Sequence, residues 1–192
     1  MKKDFVEKLH MSTSRNYLER MINEKVECMK IARRFDKEFW DGERKYGYGG
    51  HKYIPGRWSN VADQIIKNYN LKEGSKILDV GCSSGNFLFE IYNQYSLEAL
   101  VGIDIDNSAI KEAKSQNIDR VIFKNTSLLE IDSNKEQFDI ILFRGTFQYL
   151  DLDIHKSIGH IKRLLKNNGK KLSLSLDFFS LTMLLLILFK NV

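Results

Sequence analysis

The feature that most constrains this chain is a short apolar strand that runs into a glycine-containing turn and then a helix, over Ile77–Phe87. The turn contains Gly81 and Gly85, and a residue without a Cβ atom permits backbone conformations and close approaches that other residues block. The helix that follows begins with N–H groups that can bind a ligand. In a doubly wound α/β sheet, nucleotides bind in this crevice at the strand end.

Short apolar runs alternate with amphipathic segments after Gly74. This alternation predicts an α/β fold, a Rossmann-like, doubly wound and mostly parallel sheet of about five strands. The predicted strands are Lys76–Val80, Ala99–Ile103, Val121–Lys124, Phe138–Phe143 and Lys171–Leu176.

The segments between these strands have the spacing of helices, which we place at Asn86–Tyr95, Asn107–Gln116 and Ile154–Leu165. An acidic residue, Asp104, ends the second strand nineteen residues after Gly85. This is about the offset at which a carboxylate accepts hydrogen bonds from ribose hydroxyls in such folds. Each signal is weak alone, but together and in this order they predict a nucleotide site.

The first third of the chain has a different pattern. Apolar residues recur at helical spacing over residues 14–39, which predicts one amphipathic helix or two. A loop with five glycines, the single proline and five aromatic residues follows over residues 40–58, and Ser59 is predicted to cap a helix over Asn60–Tyr69. We therefore predict a helical cap at 1–70, a core at 71–176 and an apolar C-terminal helix at 177–192.

Charge and composition indicate which partners and which cell compartment suit this chain. The net charge of +5 lies entirely in residues 1–60, which have 14 Lys and Arg against 9 Asp and Glu. Such a segment attracts phosphate, nucleic acid or an acidic membrane, or is an ordinary solvated helix face. Two cysteines and no apolar leader at the start predict a cytoplasmic protein.

Four segments in order resemble the class I, Rossmann-like methyltransferases that use S-adenosylmethionine. Ile77–Phe87 resembles their first motif and Val101–Asp106 their ribose-binding strand. Gln137–Leu150 resembles their fourth strand, and Ile161–Lys170 resembles the helix and turn before the fifth. The resemblance covers about half of the chain, and it implies a methyltransferase with S-adenosyl-L-methionine as cofactor.

The resemblance also implies roles for individual residues. Asp79 would lie near the methionine amino group, the 81–85 turn under the cofactor, Asp104 at the ribose and Ile105 against adenine. No metal is predicted. The expected cofactor-binding residues are Asp79, Gly81, Cys82, Ser83, Gly85, Asp104, Ile105, Thr126, Ser127 and Arg144.

Three positions depart from the family pattern. Ser83 replaces the usual middle glycine of the first motif, which is tolerable if its backbone is not left-handed. Thr126 stands where an aspartate usually meets the adenine amine, and Tyr149 stands where a histidine is common. Adenine recognition is therefore the contact that the sequence specifies least.

The acceptor is less defined than the cofactor. Residues 15–58 resemble the N-terminal extension of a bacterial subgroup found in surface-polysaccharide biosynthesis, which implies a small-molecule or glycan-type acceptor, such as a phosphorylated sugar. No catalytic base stands out, because ordinary packing or surface roles are favoured over catalysis for the weak candidates His51 and Tyr149. The residues predicted to contact the acceptor are Tyr46, Tyr48, Tyr53 and Arg57.

Other interpretations stay open at this stage. RNA fits the basic segment as an acceptor, whereas no DNA is expected. A second class is a truncated, inactive domain that binds cofactor, a partner or, through apolar residues 178–189, a membrane. Family members usually have two further strands after the fifth, so a sheet edge that an oligomer would cover is predicted.

Overall fold

The structure is a computed structural model that describes residue 18 and residues 24–34, 36–43, 45–47, 53–146 and 154–174. The chain divides into a smaller unit within residues 6–54 and a larger unit that includes residues 55–192. Each is described by itself below. The division into 1–70, 71–176 and 177–192 stays a prediction.

The described part of the smaller unit includes the helices α1 (Lys25–Arg34) and α2 (Lys37–Asp41). The break between them has a local cause, because the Asp36 carboxylate accepts hydrogen bonds from the backbone N–H groups of Glu38 and Phe39 and so caps α2. The described residues 24–34 and 36–39 therefore show a break between helices within the segment where one helix or two were predicted.

The larger unit is built on a parallel sheet of five strands in the order β3-β2-β1-β4-β5. This confirms the predicted Rossmann-like α/β fold. The strands are β1 (Lys76–Val80), β2 (Ala99–Asp104), β3 (Val121–Asn125), β4 (Phe138–Arg144) and β5 (Leu165–Leu174).

The strand order creates a crevice next to β1. The chain passes from β1 to β2 and β3 on one side and then returns to β4, which pairs with the other side of β1. The connections that follow β1 and β3 therefore run in opposite directions along the sheet. Neither connection crosses the space at the carboxyl ends of β1 and β4. Ligands of open α/β sheets bind at such a switch point.

Among the residues that the structure describes, four helices accompany the sheet, with a short 3₁₀ turn at Leu128–Glu130. Three of them end one residue earlier than the sequence predicts, a difference that is usual for fraying helix ends. The helices are α3 (Ser59–Tyr69), α4 (Asn86–Gln94), α5 (Asn107–Ser115) and α6 (Ile154–Leu164).

Two predictions for this unit are wrong. Ser59 is the first residue of α3 and not its cap, since Trp58 holds the cap position and the Ser59 hydroxyl donates to Glu90 instead. The last strand begins at Leu165 and not at Lys171. Pairing of Leu165 with Phe138 brings the polar residues that follow into the sheet, so tertiary pairing overrides local sequence preference.

The central strands are apolar because they are covered on both faces. Ile77 and Leu78 of β1 and Ile140 and Ile141 of β4 are fully buried. Near-continuous apolar runs are typical of parallel strands with helices on both sides. Asp79 interrupts this apolar environment and is equally buried, so its charge needs a specific partner.

Membrane contact was predicted for residues 178–189, which lie outside the described residues. Within the parts of the chain that the structure describes, no helix combines the length and the apolar content needed to cross a membrane.

Candidate cofactor site

The partner of Asp79 is Arg144, the last residue of β4. The Arg144 Nη2 donates to Asp79 Oδ2 at 2.8 Å and its Nε donates to Asp79 Oδ1 at 3.2 Å, a bidentate pair. Asp79 pairs in register with Leu142, so Arg144 is two residues further along β4 and on the same face of the sheet. The pair lies at the switch point, where the sequence resemblance places the methionine end of the cofactor.

Two aromatic rings hold the Arg144 guanidinium in this position. Its Cζ lies 4.8 Å from the centroid of the Phe87 ring and 5.6 Å from that of Trp58. The two rings meet edge to face, with centroids 5.9 Å apart. Cation–π contacts of this kind stabilise a guanidinium that has lost part of its hydration. Arg144 was expected in the site, but its partners were not.

The two glycines of the turn are required by close contacts. Gly81 has φ +74°, and a Cβ atom there would lie 2.0 Å from Cγ2 of Thr146. Gly85 has φ +79°, and a Cβ atom there would lie 2.5 Å from the Phe123 ring. The left-handed backbone and the lack of room for a Cβ atom both disfavour other residues at these positions. The turn can therefore lie close to the carboxyl ends of the strands.

The N–H groups of the turn bind the protein itself. Those of Gly81 and Cys82 donate to the Ile103 carbonyl at 2.8 and 3.0 Å, and that of Gly85 donates to the Cys82 carbonyl at 3.0 Å. These three donors are therefore satisfied within the fold. The turn therefore offers a ligand a surface that it can approach closely, and not these three N–H groups as donors. In a simple phosphate-binding loop, the N–H groups point at the ligand.

Ser83 was expected to be tolerable only if its backbone is not left-handed. The structure differs, because the backbone of Ser83 is left-handed, with φ +53°. The Ser83 N–H donates to Asp104 Oδ2 at 2.8 Å, which fixes the turn against β2. Its hydroxyl is buried and has no hydrogen-bond partner among the described residues. A non-glycine residue in this conformation costs about 1–2 kcal/mol, so the site holds a strained residue next to the predicted ribose position.

Asp104 stands at the carboxyl end of β2, half-buried. Besides the Ser83 N–H, it accepts the Asp106 N–H at Oδ1, at 2.9 Å. Burial raises the pKa of Asp104, while these two backbone hydrogen bonds oppose that rise. Each carboxylate oxygen thus has one protein donor and keeps acceptor capacity for a further one.

The residues near Asp104 differ in their surroundings, since one is exposed to solvent and the others form hydrogen bonds within the protein. Ile105 is 80 % exposed, so its apolar side chain is accessible beside the polar end of β2. The Asn125 side chain donates to the carbonyls of Asp104 and Ile105, both at 3.0 Å, and so fixes the end of β2. The hydroxyl of Thr126 and the N–H of Ser127 both bind Glu130.

The hydrogen bonds of Thr126 and Ser127 to Glu130 concern adenine recognition, because Thr126 stands where the family usually has an aspartate that meets the adenine amine. Thr126 and Ser127 are engaged in capping the 3₁₀ turn, and Ser127 and Glu130 form a capping box. The structure therefore gives both residues a local structural role and places them directly after β3.

Cys82 is a residue of the turn, and its side chain is buried. Burial raises the pKa of its thiol, and the nearby charges of Asp79 and Asp104 raise it further. The thiol therefore stays protonated at neutral pH, and Cys82 functions as a packing residue, not as a nucleophile.

The residues predicted for catalysis and the acceptor are only partly described. Tyr46 and Tyr53 belong to the smaller unit, and the Tyr46 ring lies 4.9 Å from Lys45 Nζ. Arg57 belongs to the larger unit and is exposed. The other three, Tyr48, His51 and Tyr149, lie outside the described residues.

Carboxylates balance much of the positive charge in the described part of the smaller unit. Lys45 binds Glu24 at 3.1 Å, which raises the pKa of Lys45, and Arg34 binds Glu38 at 2.6 Å. This pairing favours the interpretation of solvated helix faces over that of a continuous basic surface.

Three residues contact the site residues or hold them in place, although the sequence did not predict it. They are Trp58, Glu90 and Asn125. Trp58 is one of five aromatic residues in the predicted 40–58 loop, Glu90 is one polar residue of a predicted helix, and Asn125 follows a predicted strand. A glutamate at a position that faces the core was the one available signal, since buried carboxylates need partners.

The strand order, the glycine turn after β1 and the acidic end of β2 define a Rossmann-like nucleotide-binding protein. A family model described as a methyltransferase domain matches residues 71–184, more than half of the chain. The chain therefore belongs to this family, within the class I methyltransferases that depend on S-adenosylmethionine.

Individual relatives agree with the family and differ in what they do. The chain is 26 % identical over 136 residues to the protein-lysine N-methyltransferase EFM4 of Saccharomyces cerevisiae, covering 62 % of this chain and 59 % of that protein. It is 34 % identical over 114 residues to the carboxy-S-adenosyl-L-methionine synthase of Nautilia profundicola, covering 57 % and 47 %. The chain thus spans about half the length of these relatives.

A solved structure shows the same fold. YjhP from Escherichia coli superposes with a TM-score of 0.51 at 20 % identity, and the match covers 64 % of this chain and 50 % of that one. This likeness supports the architecture of the larger unit.

The first prediction concerns the buried ion pair. Replacing Arg144 by Met leaves the Asp79 carboxylate buried without its partner, so we expect the free energy of unfolding to fall by about 3 kcal/mol. Asp79→Asn should also destabilise, and the double variant should lose about 2 kcal/mol less than the sum of the two single losses. Chemical denaturation of the four proteins measures this, and additive losses would contradict the pairing.

The second prediction concerns the strained turn. Ser83→Gly removes the left-handed strain, and even after the greater entropy of an unfolded glycine we expect a gain of about 0.5–1 kcal/mol in stability. Ser84→Gly is the matched control, because Ser84 has no positive φ, and it should lose about 0.5–1 kcal/mol. Equal effects of the two changes in thermal unfolding would argue against strain at Ser83.

Proposed function

We propose that this chain binds S-adenosylmethionine at the carboxyl ends of β1, β2 and β4 and transfers its methyl group to an acceptor. The observation that carries the proposal is the position of Asp104. Its carboxylate is fixed by two backbone N–H groups beside a glycine turn, at the end of β2, which pairs with β1 next to the switch point of the parallel sheet. A half-buried carboxylate held in this way is suited to accept hydrogen bonds from two ribose hydroxyls.

The other residues complete a site with distinct ends. The exposed Ile105 side chain offers an apolar surface to a planar base. At the opposite end lies the Asp79–Arg144 pair, in which the partly exposed Arg144 guanidinium carries a positive charge that suits the carboxylate group of an amino acid. A nucleoside that carries a zwitterionic amino acid fits this order of apolar, acceptor and paired-charge groups.

Little covalent chemistry is required of the protein. The sulfonium group of the cofactor supplies an activated methyl group, and the protein contributes alignment of the acceptor and exclusion of water. The bidentate contact of Arg144 and the close turn at Gly81 are rigid features that can hold the methionine end in one orientation.

We infer that the acceptor is a small molecule or a glycan, such as a phosphorylated sugar. Exposed Arg57 supports this, because it forms no ion pair with the described residues and a guanidinium can bind phosphate through two N–H groups. The relatives named above act on unlike substrates, so similarity does not choose an acceptor. An RNA acceptor, or cofactor binding without turnover, are the alternatives.

The third prediction tests the ribose contact. Full-length protein titrated with S-adenosylhomocysteine in a calorimeter should bind it, and Asp104→Ala should weaken binding by about tenfold or more, because two charged hydrogen bonds are lost. Since burial raises the pKa of Asp104, wild-type affinity should also begin to fall on acidification at a higher pH than an ordinary aspartate would give.

Asp119→Ala is the control for this experiment. Asp119 is exposed and precedes β3 at the amino edge of the sheet, so its loss should leave the affinity unchanged. No heat from the wild-type protein at high micromolar ligand would reject the proposed function. Equal affinity of Asp104→Ala and wild type would reject only the ribose assignment.

The fourth prediction concerns the acceptor. With cofactor labelled in its methyl group and a fractionated bacterial extract, label should enter the small-molecule or glycan fraction, and Asp104→Ala should reduce it. Label in the RNA or protein fraction would contradict the proposed acceptor class. Binding of S-adenosylhomocysteine without any transfer of label would favour the alternative of a cofactor-binding domain.

A further inference from the structure

Glu90 of α4 is a buried acidic residue outside the predicted cofactor contacts. Its side chain is only 3 % exposed. Its Oε1 accepts the backbone N–H of Gly56 and its Oε2 accepts the hydroxyl of Ser59, both at 2.6 Å. Hydrogen bonds this short to a carboxylate are among the stronger ones in proteins.

Both donors belong to the turn that starts α3. Gly56 has a left-handed backbone, with φ +79°, and the Ser59 N–H donates to the Gly56 carbonyl at 3.2 Å, which closes the turn. Trp58 lies between the two residues that Glu90 binds, and it caps α3 without a side-chain hydrogen bond. Glu90 therefore holds the backbone on both sides of Trp58.

The same helix presents the other half of the contact. Phe87 and Glu90 are three residues apart on α4 and so lie on one face of the helix. Phe87 contacts the Trp58 ring, and both rings contact the Arg144 guanidinium that binds Asp79. One face of α4 thus determines where the turn, the tryptophan and the arginine lie.

Packing alone would not require a carboxylate here. An apolar side chain of similar size would pack at the same depth without the cost of burying a charge. A carboxylate does what an apolar group cannot, because it binds two donors of one turn and fixes the orientation of that turn. The turn it fixes carries a ring that contacts the proposed cofactor site.

We propose that Glu90 is a positioning residue, which orients the Gly56–Ser59 turn so that Trp58 holds Arg144 at Asp79. The inference rests on the proposed function, because the importance of this position comes from the methionine end of S-adenosylmethionine. It adds a residue that touches neither the cofactor nor the acceptor and still sets the affinity for the cofactor.

The fifth prediction compares two substitutions in the full-length protein. Glu90→Leu keeps the volume and removes both acceptors, so we expect about tenfold weaker binding of S-adenosylhomocysteine. Glu90→Gln keeps one acceptor for the Gly56 N–H, and its amide can donate to the Ser59 hydroxyl. The glutamine variant should therefore stay within about threefold of wild type, a rescue that loss of packing alone would not give.

A second readout follows Trp58 directly and needs no cofactor. The chain has two tryptophans, so Trp40→Phe leaves Trp58 as the only one. In that background, Glu90→Leu should shift the emission of Trp58 to longer wavelength and increase its quenching by acrylamide. Glu90→Gln should change neither property.

Asp139→Leu is the matched control for loss of a carboxylate with two donors. Asp139 accepts the Lys76 N–H at 2.7 Å and the Lys166 ammonium at 2.8 Å, near the amino ends of the strands. It should lower the thermal midpoint without changing the emission of Trp58 or the affinity for S-adenosylhomocysteine.

The outcomes separate the inference from the proposed function. If Glu90→Leu leaves the Trp58 emission unchanged, or if Asp139→Leu weakens binding as much as Glu90→Leu does, the inference is wrong. If wild-type protein does not bind S-adenosylhomocysteine, the proposed function fails, and the emission of Trp58 then decides by itself whether Glu90 positions the turn.

Discussion

The buried ion pair between Asp79 and Arg144 is the interaction on which the geometry of the site depends. Burying a carboxylate in the central strand costs several kcal/mol, and only a partner with good geometry offsets this cost. The bidentate contact does so, and the rings of Phe87 and Trp58 support the guanidinium. Elements far apart in sequence are thereby fixed around one point at the carboxyl ends of β1 and β4.

The glycine turn complements this pair through shape and strain. Its N–H groups are largely used within the fold, and Ser83 is held in a left-handed conformation by its bond to Asp104. Strained residues persist where the surrounding structure over-determines them, and they concentrate at functional sites. The turn and Asp104 therefore form one rigid unit, which a ribose can meet without reorganising it.

Much of the fold could be predicted from local patterns. The bounds of β1 were predicted without error, and Asp104 was placed at the end of its strand, because apolar runs, glycines and acidic ends are local signals. The start of β5 at Leu165 and the bond from Ser59 to Glu90 were missed. Both depend on partners that local sequence does not reveal, a strand 27 residues away and a neighbouring helix.

The sequence by itself determined the class of fold and the positions of the glycine turn and of the carboxylate at the end of β2, since these follow from periodicity and the absence of a Cβ atom. Only the tertiary structure decided which charges meet. The register of β1 against β4 places Arg144 on the face of Asp79, and the packing of α3 against α4 brings Trp58 to the guanidinium. Burial then makes these contacts decisive, because a charge removed from water is stable only where a partner is already in place.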